Sequence, residues 1–161
     1  MAPDGPSRAE RHQPEIVLTD EYFMRQAMAE ARLALAEGEI PIGAVVVLDN
    51  VIIGRGHNQT ERLRDVTAHA EMLALSAAAN FVGNKYLGAC SLYVTIEPCV
   101  MCAGASAWAQ VRHVVFGAEE LKVGYRRHSP SLLHPRTQVR SGVLAAECAA
   151  LMQDFFRGKR G

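Results

Sequence analysis

The first patterned stretch of the chain has hydrophobic residues at intervals of three and four positions. This spacing predicts an amphipathic helix from about residue 20 to residue 37. The apolar face of this helix comprises Met24, Ala27, Met28, Ala31 and Leu35. Thr19 precedes the pattern as a suitable N-cap, and Gly38 follows it as a suitable terminator.

Two short runs of β-branched residues follow this helix. They span residues 42–48 and 51–56 and are separated only by Asp49-Asn50. Because Asp and Asn tolerate the left-handed backbone of a two-residue turn, we predict a β-hairpin.

Helical and strand-like patterns alternate in the remainder of the chain. The predicted elements are a helix over 68–80, a strand over 91–95, a helix over 100–110, a strand over 113–116 and a fifth strand over 139–141. A final helix has an apolar stripe made of Leu144, Cys148, Leu151, Met152 and Phe155, which indicates core packing. This alternation predicts an α/β fold, in which right-handed crossovers make the later strands parallel and place helices on the sheet faces.

Length and composition predict one domain. The chain has 161 residues, of which 49% are hydrophobic, enough for one sizeable core and too few for two. Residues 1–17 are rich in proline, glycine and charge, so we expect a disordered leader followed by a domain over 18–161. The sequence has no apolar run near 18 residues and no signal-peptide core in its first 14 residues. We therefore predict a cytoplasmic protein with no membrane partner.

The net charge of zero conceals an uneven distribution. Residues 1–109 contain 8 Lys or Arg against 13 Asp or Glu, whereas residues 110–161 contain 9 against 4. Seven of these nine basic residues lie in a loop region and at the C-terminal tail, namely Arg126, Arg127, Arg136, Arg140, Arg157, Lys159 and Arg160. They are candidates for phosphate contacts, and the alternative is ordinary solvated surface charge.

Two short motifs contain the candidate chemistry, His69-Ala70-Glu71 and Pro98-Cys99-Val100-Met101-Cys102. They offer one imidazole and two thiolates as zinc ligands, which leaves the fourth tetrahedral position for a water whose pKa falls towards neutrality. Hydrolytic deamination needs that hydroxide and a group that carries protons from water to the ring nitrogen and the departing ammonia, a role that suits Glu71.

Neither motif is specific for this chemistry when it occurs alone. An isolated Cys-x-x-Cys pair also occurs in redox sites and in structural zinc knuckles. A knuckle needs a second ligand pair, whereas Cys90 and Cys148 stand alone in apolar surroundings typical of buried thiols. The joint occurrence of both motifs favours one zinc ion per chain, held by His69, Cys99 and Cys102.

Both motifs are predicted at the beginning of helices. Cys99 follows Pro98 and opens an apolar helical run, so Cys99 and Cys102 lie on one face of a first turn, where the helix dipole favours thiolates. Near His69 we expect a helix entrance with Thr67 as N-cap, which allows His69 and Glu71 different directions.

Longer stretches around both motifs resemble the bacterial tRNA adenosine deaminases, over about residues 22–157. The matching segments are Glu39-Ile40-Pro41-Ile42-Gly43-Ala44-Val45, Thr67-Ala68-His69-Ala70-Glu71, Leu92-Tyr93-Val94-Thr95-Ile96-Glu97-Pro98-Cys99-Val100-Met101-Cys102-Ala103-Gly104-Ala105 and Val114-Val115-Phe116-Gly117-Ala118. The C-terminal stretches 147–151 and 154–157 are also similar to that family.

The resemblance implies a three-layer α/β/α sandwich with a central mixed five-stranded sheet, as in the cytidine deaminases. It also implies a homodimer that hydrolyses adenosine to inosine at wobble position 34 of the tRNA anticodon arm. Carried over by position, the zinc ligands are His69, Cys99 and Cys102, and the proton shuttle is Glu71.

The resemblance implies substrate contacts as well. Asn58 would hydrogen-bond the target base or ribose, and the backbone around Ile42 and Ala70 would frame the pocket. The alternative for Asn58 is turn capping after a strand. The C-terminal helix would contact the RNA through Phe156, Arg157, Lys159 and Arg160.

The chain departs from the family pattern in two places. It has Asp65-Val66-Thr67 where Asp-Pro-Thr is usual, and residues 122–135 replace a longer run of small residues. Because loops determine substrate contacts, two alternatives remain, a deaminase of a free base such as guanine and a non-catalytic zinc or RNA-binding module.

Overall fold

A five-stranded mixed sheet with helices on both faces forms the body of the computed structural model, which describes residues 18–159. In chain order the elements are α1 (Asp20–Ala36), β1 (Gly43–Leu48), β2 (Val51–His57), α2 (Ala70–Val82), β3 (Ser91–Ile96), α3 (Val100–Ala109), β4 (His113–Ala118), α4 (Tyr125–His128), β5 (Gln138–Arg140) and α5 (Ala145–Lys159). The predicted leader over 1–17 and the predicted RNA contact Arg160 lie outside the described residues.

Helix α1 begins and ends at the predicted signals. The Thr19 side chain accepts a hydrogen bond from the Tyr22 amide at 3.2 Å. After Ala36 the backbone turns away at Gly38, whose φ of 76° lies in the left-handed region that favours glycine. Both predictions are confirmed.

The predicted hairpin is also confirmed. Asp49 and Asn50 have φ values of 49° and 62°, as a tight turn between β1 and β2 requires. The strand order is β2-β1-β3-β4-β5. β1 is antiparallel to β2 and β3, whereas β3, β4 and β5 are parallel, so the mixed five-stranded sheet and its parallel later strands are as predicted.

Alternating residues of the strands divide the core into two layers. Val45 and Val47 of β1 pack with residues of α1 and α5, whereas Ala44 and Val46 pack with residues of α2 and α3. This period-two alternation is what a sheet covered on both faces requires. The arrangement is the three-layer α/β/α sandwich that the resemblance implied.

Two local predictions were wrong or missing. α2 begins at Ala70 with His69 as N-cap, so Thr67 is not the cap. Thr67 instead donates from its backbone amide and its hydroxyl to Asp65 Oδ1, at 2.8 and 2.7 Å, which leaves its side chain no part in the helix. The helix α4 was not predicted because four residues are too few to show a helical period.

Among the residues that the structure describes, none of the helices combines the length and apolar character needed to cross a bilayer.

Candidate zinc centre and active site

The structure brings the three predicted zinc ligands together. His69 Nδ1 lies 3.6 Å from Cys99 Sγ and 3.5 Å from Cys102 Sγ, and the three ligand atoms are all within 4.8 Å of one another. Tetrahedral zinc with its usual bond lengths to nitrogen and sulfur would place such ligand atoms about 3.6 Å apart. The donor set and its spacing therefore fit zinc.

The ligands lie where two helices begin. His69 is the N-cap of α2 and Cys99 the N-cap of α3, both with extended backbone and neither with a side-chain capping hydrogen bond. N-cap side chains usually satisfy the free amides of the first turn. Here these side chains are turned towards each other, and the positive ends of both helices favour the thiolates.

Glu71 lies one residue into α2 and is 4% exposed. Burial, with a smaller contribution from the neighbouring Cys99, raises the pKa of its carboxyl to about 7, and His69 opposes part of this rise. A buried carboxyl beside the ligands and outside the ligand set is suited to transferring protons.

The two thiols share one hydrogen bond. It lowers the pKa of Cys99 to about 4, whereas the same hydrogen bond and burial raise the pKa of Cys102. The hydrogen bond with Cys99 also raises the pKa of His69. A bound cation would favour loss of both thiol protons.

Three predicted substrate-binding residues are joined by hydrogen bonds. Asn58 Oδ1 accepts a hydrogen bond from the Ala70 backbone amide at 2.8 Å, and the Asn58 backbone amide donates to the Ile42 carbonyl at 3.1 Å. Asn58 is 5% exposed and follows β2 directly. The Asn58 side chain therefore caps the first turn of α2 and does not cap the turn that follows β2. His69 occupies the N-cap position but forms no side-chain capping hydrogen bond. The side-chain nitrogen of Asn58 remains as the hydrogen-bond donor available for a substrate.

Glycines of β2 allow α2 to lie against the sheet. A Cβ on Gly56 would lie 2.3 Å from the carbonyl oxygen of Ala70, and one on Gly54 would lie 2.3 Å from that of Ala74. The approach at Gly56 fixes the turn of α2 between His69 and Glu71. The position of the candidate site thus depends on a strand residue with no side chain.

The segment after β4 braces the second motif, Pro98 to Cys102. The sequence analysis did not predict these contacts. Gly124 forms a β-bridge with Cys99, and the Tyr125 amide donates to the Pro98 carbonyl at 2.9 Å. The buried carboxylate of Glu97 accepts from the backbone of Arg126 at 3.1 Å and from its guanidinium at 3.3 Å. Part of the loop over residues 122–135, which departs from the family pattern, therefore holds the chain segment that contains Cys99 in position.

Several C-terminal basic residues have partners of their own. Arg126 also pairs with Glu119 at 3.0 Å, Arg127 donates to the Leu121 carbonyl at 2.8 Å, and Arg140 pairs with Asp20 at 2.6 Å. For these three residues the structure favours structural charge over phosphate binding.

The C-terminal helix carries the more accessible candidates. Phe156 is 47% exposed, Arg157 forms a surface pair with Asp154 at 2.8 Å, and Lys159 lies 4.8 Å from the ring centre of Phe155. A surface cleft of about 570 Å³ is lined by Lys122, Met152, Gln153, Phe156 and Arg157. Lys122 comes from the segment that braces Cys99, so this cleft joins the C-terminal helix to the surroundings of the candidate site.

Fold and site together define a zinc-dependent deaminase. The family described as the cytidine and deoxycytidylate deaminase zinc-binding region matches residues 18–118. A tRNA-specific adenosine deaminase from Streptococcus pyogenes serotype M18 is 47% identical over 144 residues, which are 86% of this chain and 91% of that protein. The chain belongs to this zinc-dependent deaminase family, in the branch of the tRNA-specific adenosine deaminases.

Two solved structures allow the fold to be compared. One, from a study of A-to-I editing by tRNA:A34 deaminases, has a TM-score of 0.76 and 40% identity, covering 81% of this chain and 98% of that one. The other, a guanine deaminase from Nitrosomonas europaea, has a TM-score of 0.72 and 26% identity, covering 89% and 88%. The fold is thus common to both activities.

Proposed function

We propose that this enzyme hydrolyses adenosine 34 in the anticodon arm of tRNA to inosine and ammonia. The observation that carries the proposal is the cluster of His69, Cys99 and Cys102 beside the buried carboxyl of Glu71. The identity of 47% with a tRNA-specific adenosine deaminase, along nearly the whole of that protein, supports the substrate.

The residues of the chain have separate roles in this reaction. Zinc bound by the three ligands would supply the nucleophile by lowering the pKa of a water molecule. Glu71 accepts one proton from the attacking water and delivers it to the ring nitrogen. It then accepts the second proton from the hydroxyl added to the ring carbon and delivers it to the amino group, which departs as ammonia. The side-chain nitrogen of Asn58 donates a hydrogen bond to the base or ribose, and the backbone at Ile42 and Ala70 forms the pocket wall.

A wobble base must leave its stack to reach such a pocket, and its neighbours need a surface to lie on. The cleft beside Phe156 supplies an aromatic ring together with the cations of Lys122 and Arg157. Rings stack on bases, and cations pair with phosphates. We assign RNA binding to this cleft, with Lys159 and Arg160 contributing charge.

The substrate is tested by incubating the zinc-loaded protein with an anticodon stem-loop that has adenosine at position 34. Free guanine and free adenosine are given in parallel reactions. We expect inosine in the stem-loop, detected as A-to-G in sequencing, together with ammonia. Ammonia from guanine with an unchanged stem-loop would overturn the proposal in favour of a free-base deaminase.

The RNA-binding surface is tested by changing Arg157, Lys159 and Arg160 together to Ala. We expect weaker stem-loop binding, a salt dependence reduced by up to about three counterions, and unchanged zinc content. Turnover at saturating RNA should remain. A salt series indistinguishable from that of the wild type would show that these residues are only solvated charge.

We further propose a homodimer that forms through the exposed face of α3. Trp108 is 84% exposed and lies at a groove of about 320 Å³, lined by Gly104, Ala107, Trp108, Leu132, Leu133, His134 and Pro135. So large an apolar side chain beside an apolar groove is typical of a protein interface, and a second copy can bury both elements at once.

A cytoplasmic location is part of the same proposal. A zinc site with thiolate ligands fits a reducing compartment, and the four cysteines of the described residues are free.

A further inference from the structure

The segment between Asn58 and His69 links the proposed base-binding residue to the first zinc ligand. Its two ends are tied together, because the Gln59 amide donates to the Ala68 carbonyl at 3.0 Å. Between them the backbone forms a compact turn, in which the Leu63 amide donates to the Gln59 carbonyl at 2.9 Å. We call residues 59–68 the 59–68 loop.

Most of the 59–68 loop is exposed, so little burial holds it. Its firm attachment to the domain comes from Glu39, which follows α1 and is 2% exposed. The Glu39 carboxylate accepts from the Arg62 amide at 2.7 Å and from the Glu61 amide at 3.3 Å. Consecutive amides at the start of a turn have no partner within the turn, and a carboxylate satisfies both of them with charge-assisted hydrogen bonds.

A buried carboxylate is costly unless its oxygens are satisfied. Among the described residues, the hydrogen bonds of the Glu39 side chain go to these two loop amides. The pairing is therefore mutual, since the loop needs an acceptor and the acid needs donors. A second attachment, the ion pair of Arg62 with Glu37 at 2.9 Å, is more exposed and correspondingly weaker.

The same stretch of chain reaches the pocket directly. Three residues after Glu39, the Ile42 carbonyl accepts from the Asn58 amide, and Asn58 in turn caps α2 at Ala70. We infer that Glu39 is a positioning residue, which holds the 59–68 loop so that Asn58 and His69 keep their mutual geometry for the deamination. This inference rests on the proposed function.

The test compares Glu39→Gln with Glu37→Gln in the zinc-loaded protein. Gln at position 39 keeps the size of the side chain, but the two loop amides bond different oxygens of Glu39, so Gln places an NH2 group opposite one of them. Gln at position 37 is the same change two residues away, at a more exposed carboxylate that pairs with Arg62 and with His57. Amide hydrogen exchange reports on the loop, and kcat and KM with the anticodon stem-loop report on the site.

For Glu39→Gln we expect at least tenfold faster exchange at the Glu61 or Arg62 amide and kcat/KM reduced at least tenfold, with zinc content unchanged. Glu37→Gln should keep both amides protected and kcat/KM within about twofold. Because Glu39 acts through Asn58, the double variant with Asn58→Ala should lose less than the product of the two single losses.

Glu39→Ala, which removes both acceptors, should show faster exchange at both amides. Exchange unchanged in Glu39→Gln and Glu39→Ala, or an additive double variant, would overturn the inference. If the wild type itself leaves the stem-loop unchanged, it is the proposed function that fails, and the exchange measurement still decides whether Glu39 holds the loop.

Discussion

At the scale of single residues, the site depends on side chains whose roles are separated in space. His69, Cys99 and Cys102 face one another, whereas Glu71 is buried beside them without belonging to the ligand set. Metal binding and proton transfer can therefore be removed independently.

Glu71→Gln should abolish proton transfer and keep the metal, because the amide has similar size but cannot exchange protons as a carboxyl does. We expect kcat to fall by roughly 10² to 10⁴. Zinc content, measured by metal analysis, should remain near one per chain. Turnover within about tenfold of the wild type would show that another group carries the proton.

Asp20 connects three elements, since its carboxylate accepts from the Tyr93 hydroxyl at 2.7 Å and pairs with Arg140 of β5. The hydrogen bond from Arg140 holds the pKa of Asp20 below its ordinary value of 3.8. A lowered pKa in the folded state stabilises the fold above pH 3.8, and this stabilisation declines as the pH falls towards the folded value.

Asp20→Asn should therefore lower the free energy of unfolding by about 1 kcal/mol at pH 7, since the pair is partly exposed. Urea unfolding of both proteins between pH 7 and pH 3 should show this difference shrinking below pH 3.8. A difference that stays constant over the whole range would contradict the assignment to Asp20.

Residue-level prediction from sequence succeeded where chemistry depends on residue type and failed where it depends on neighbours. The spacing of the two motifs was enough to predict that His69, Cys99 and Cys102 lie together. No signal along the chain shows that Glu39 is buried against two loop amides. Nor does it show that Arg126 and Arg140 are held by Glu97 and Asp20. Such partners are distant in sequence.

At the scale of elements, the helix α2 is placed by its contact with β2. Gly54 and Gly56 offer a matched pair of tests, because both lie against α2 at the same distance but at different turns. A methyl group at either position must push the helix away and should cost about 1–3 kcal/mol of stability.

Gly56→Ala should also weaken zinc binding and reduce turnover more than tenfold, because the displaced turn bears His69 and Glu71. Gly54→Ala contacts Ala74, one turn further along, and should keep most of its activity. Thermal unfolding, metal analysis and kcat for both variants test this difference. Equal losses of activity in Gly54→Ala and Gly56→Ala would mean that α2 shifts as a rigid unit.

Prediction of elements from sequence was accurate wherever a period and an end signal coincided. Thr19 with Gly38 bounded α1, and Asp49-Asn50 formed the hairpin turn. Thr67 was a wrong N-cap because the helix begins at a zinc ligand, whose capping role is taken over by Asn58 from another segment. Functional constraints had displaced the ordinary signal there.

At the scale of the whole molecule, Trp108 is the most exposed large hydrophobic side chain among the described residues, and a single copy of the domain gives it no packing partner. We expect sedimentation of the wild type to give twice the chain mass of 17.5 kDa. Trp108→Glu should give the single mass, because a charge would be buried without a partner. Leu33→Glu on α1, which covers the opposite face of the sheet, serves as the control and should leave the dimer intact. A dimeric Trp108→Glu protein would place the interface elsewhere.

The ligands are far apart along the chain, since Cys99 lies 30 positions and Cys102 lies 33 positions after His69. They approach only after α2 and α3 have docked on the same side of the sheet. Because the unfolded chain lacks this arrangement, zinc binds the folded state preferentially and stabilises the docking of α2 and α3. Each tenfold rise in free zinc above the dissociation constant should add about 1.4 kcal/mol to the stability of the fold. The abundance of folded enzyme in a cell would then follow the supply of the metal as well as the rate of synthesis.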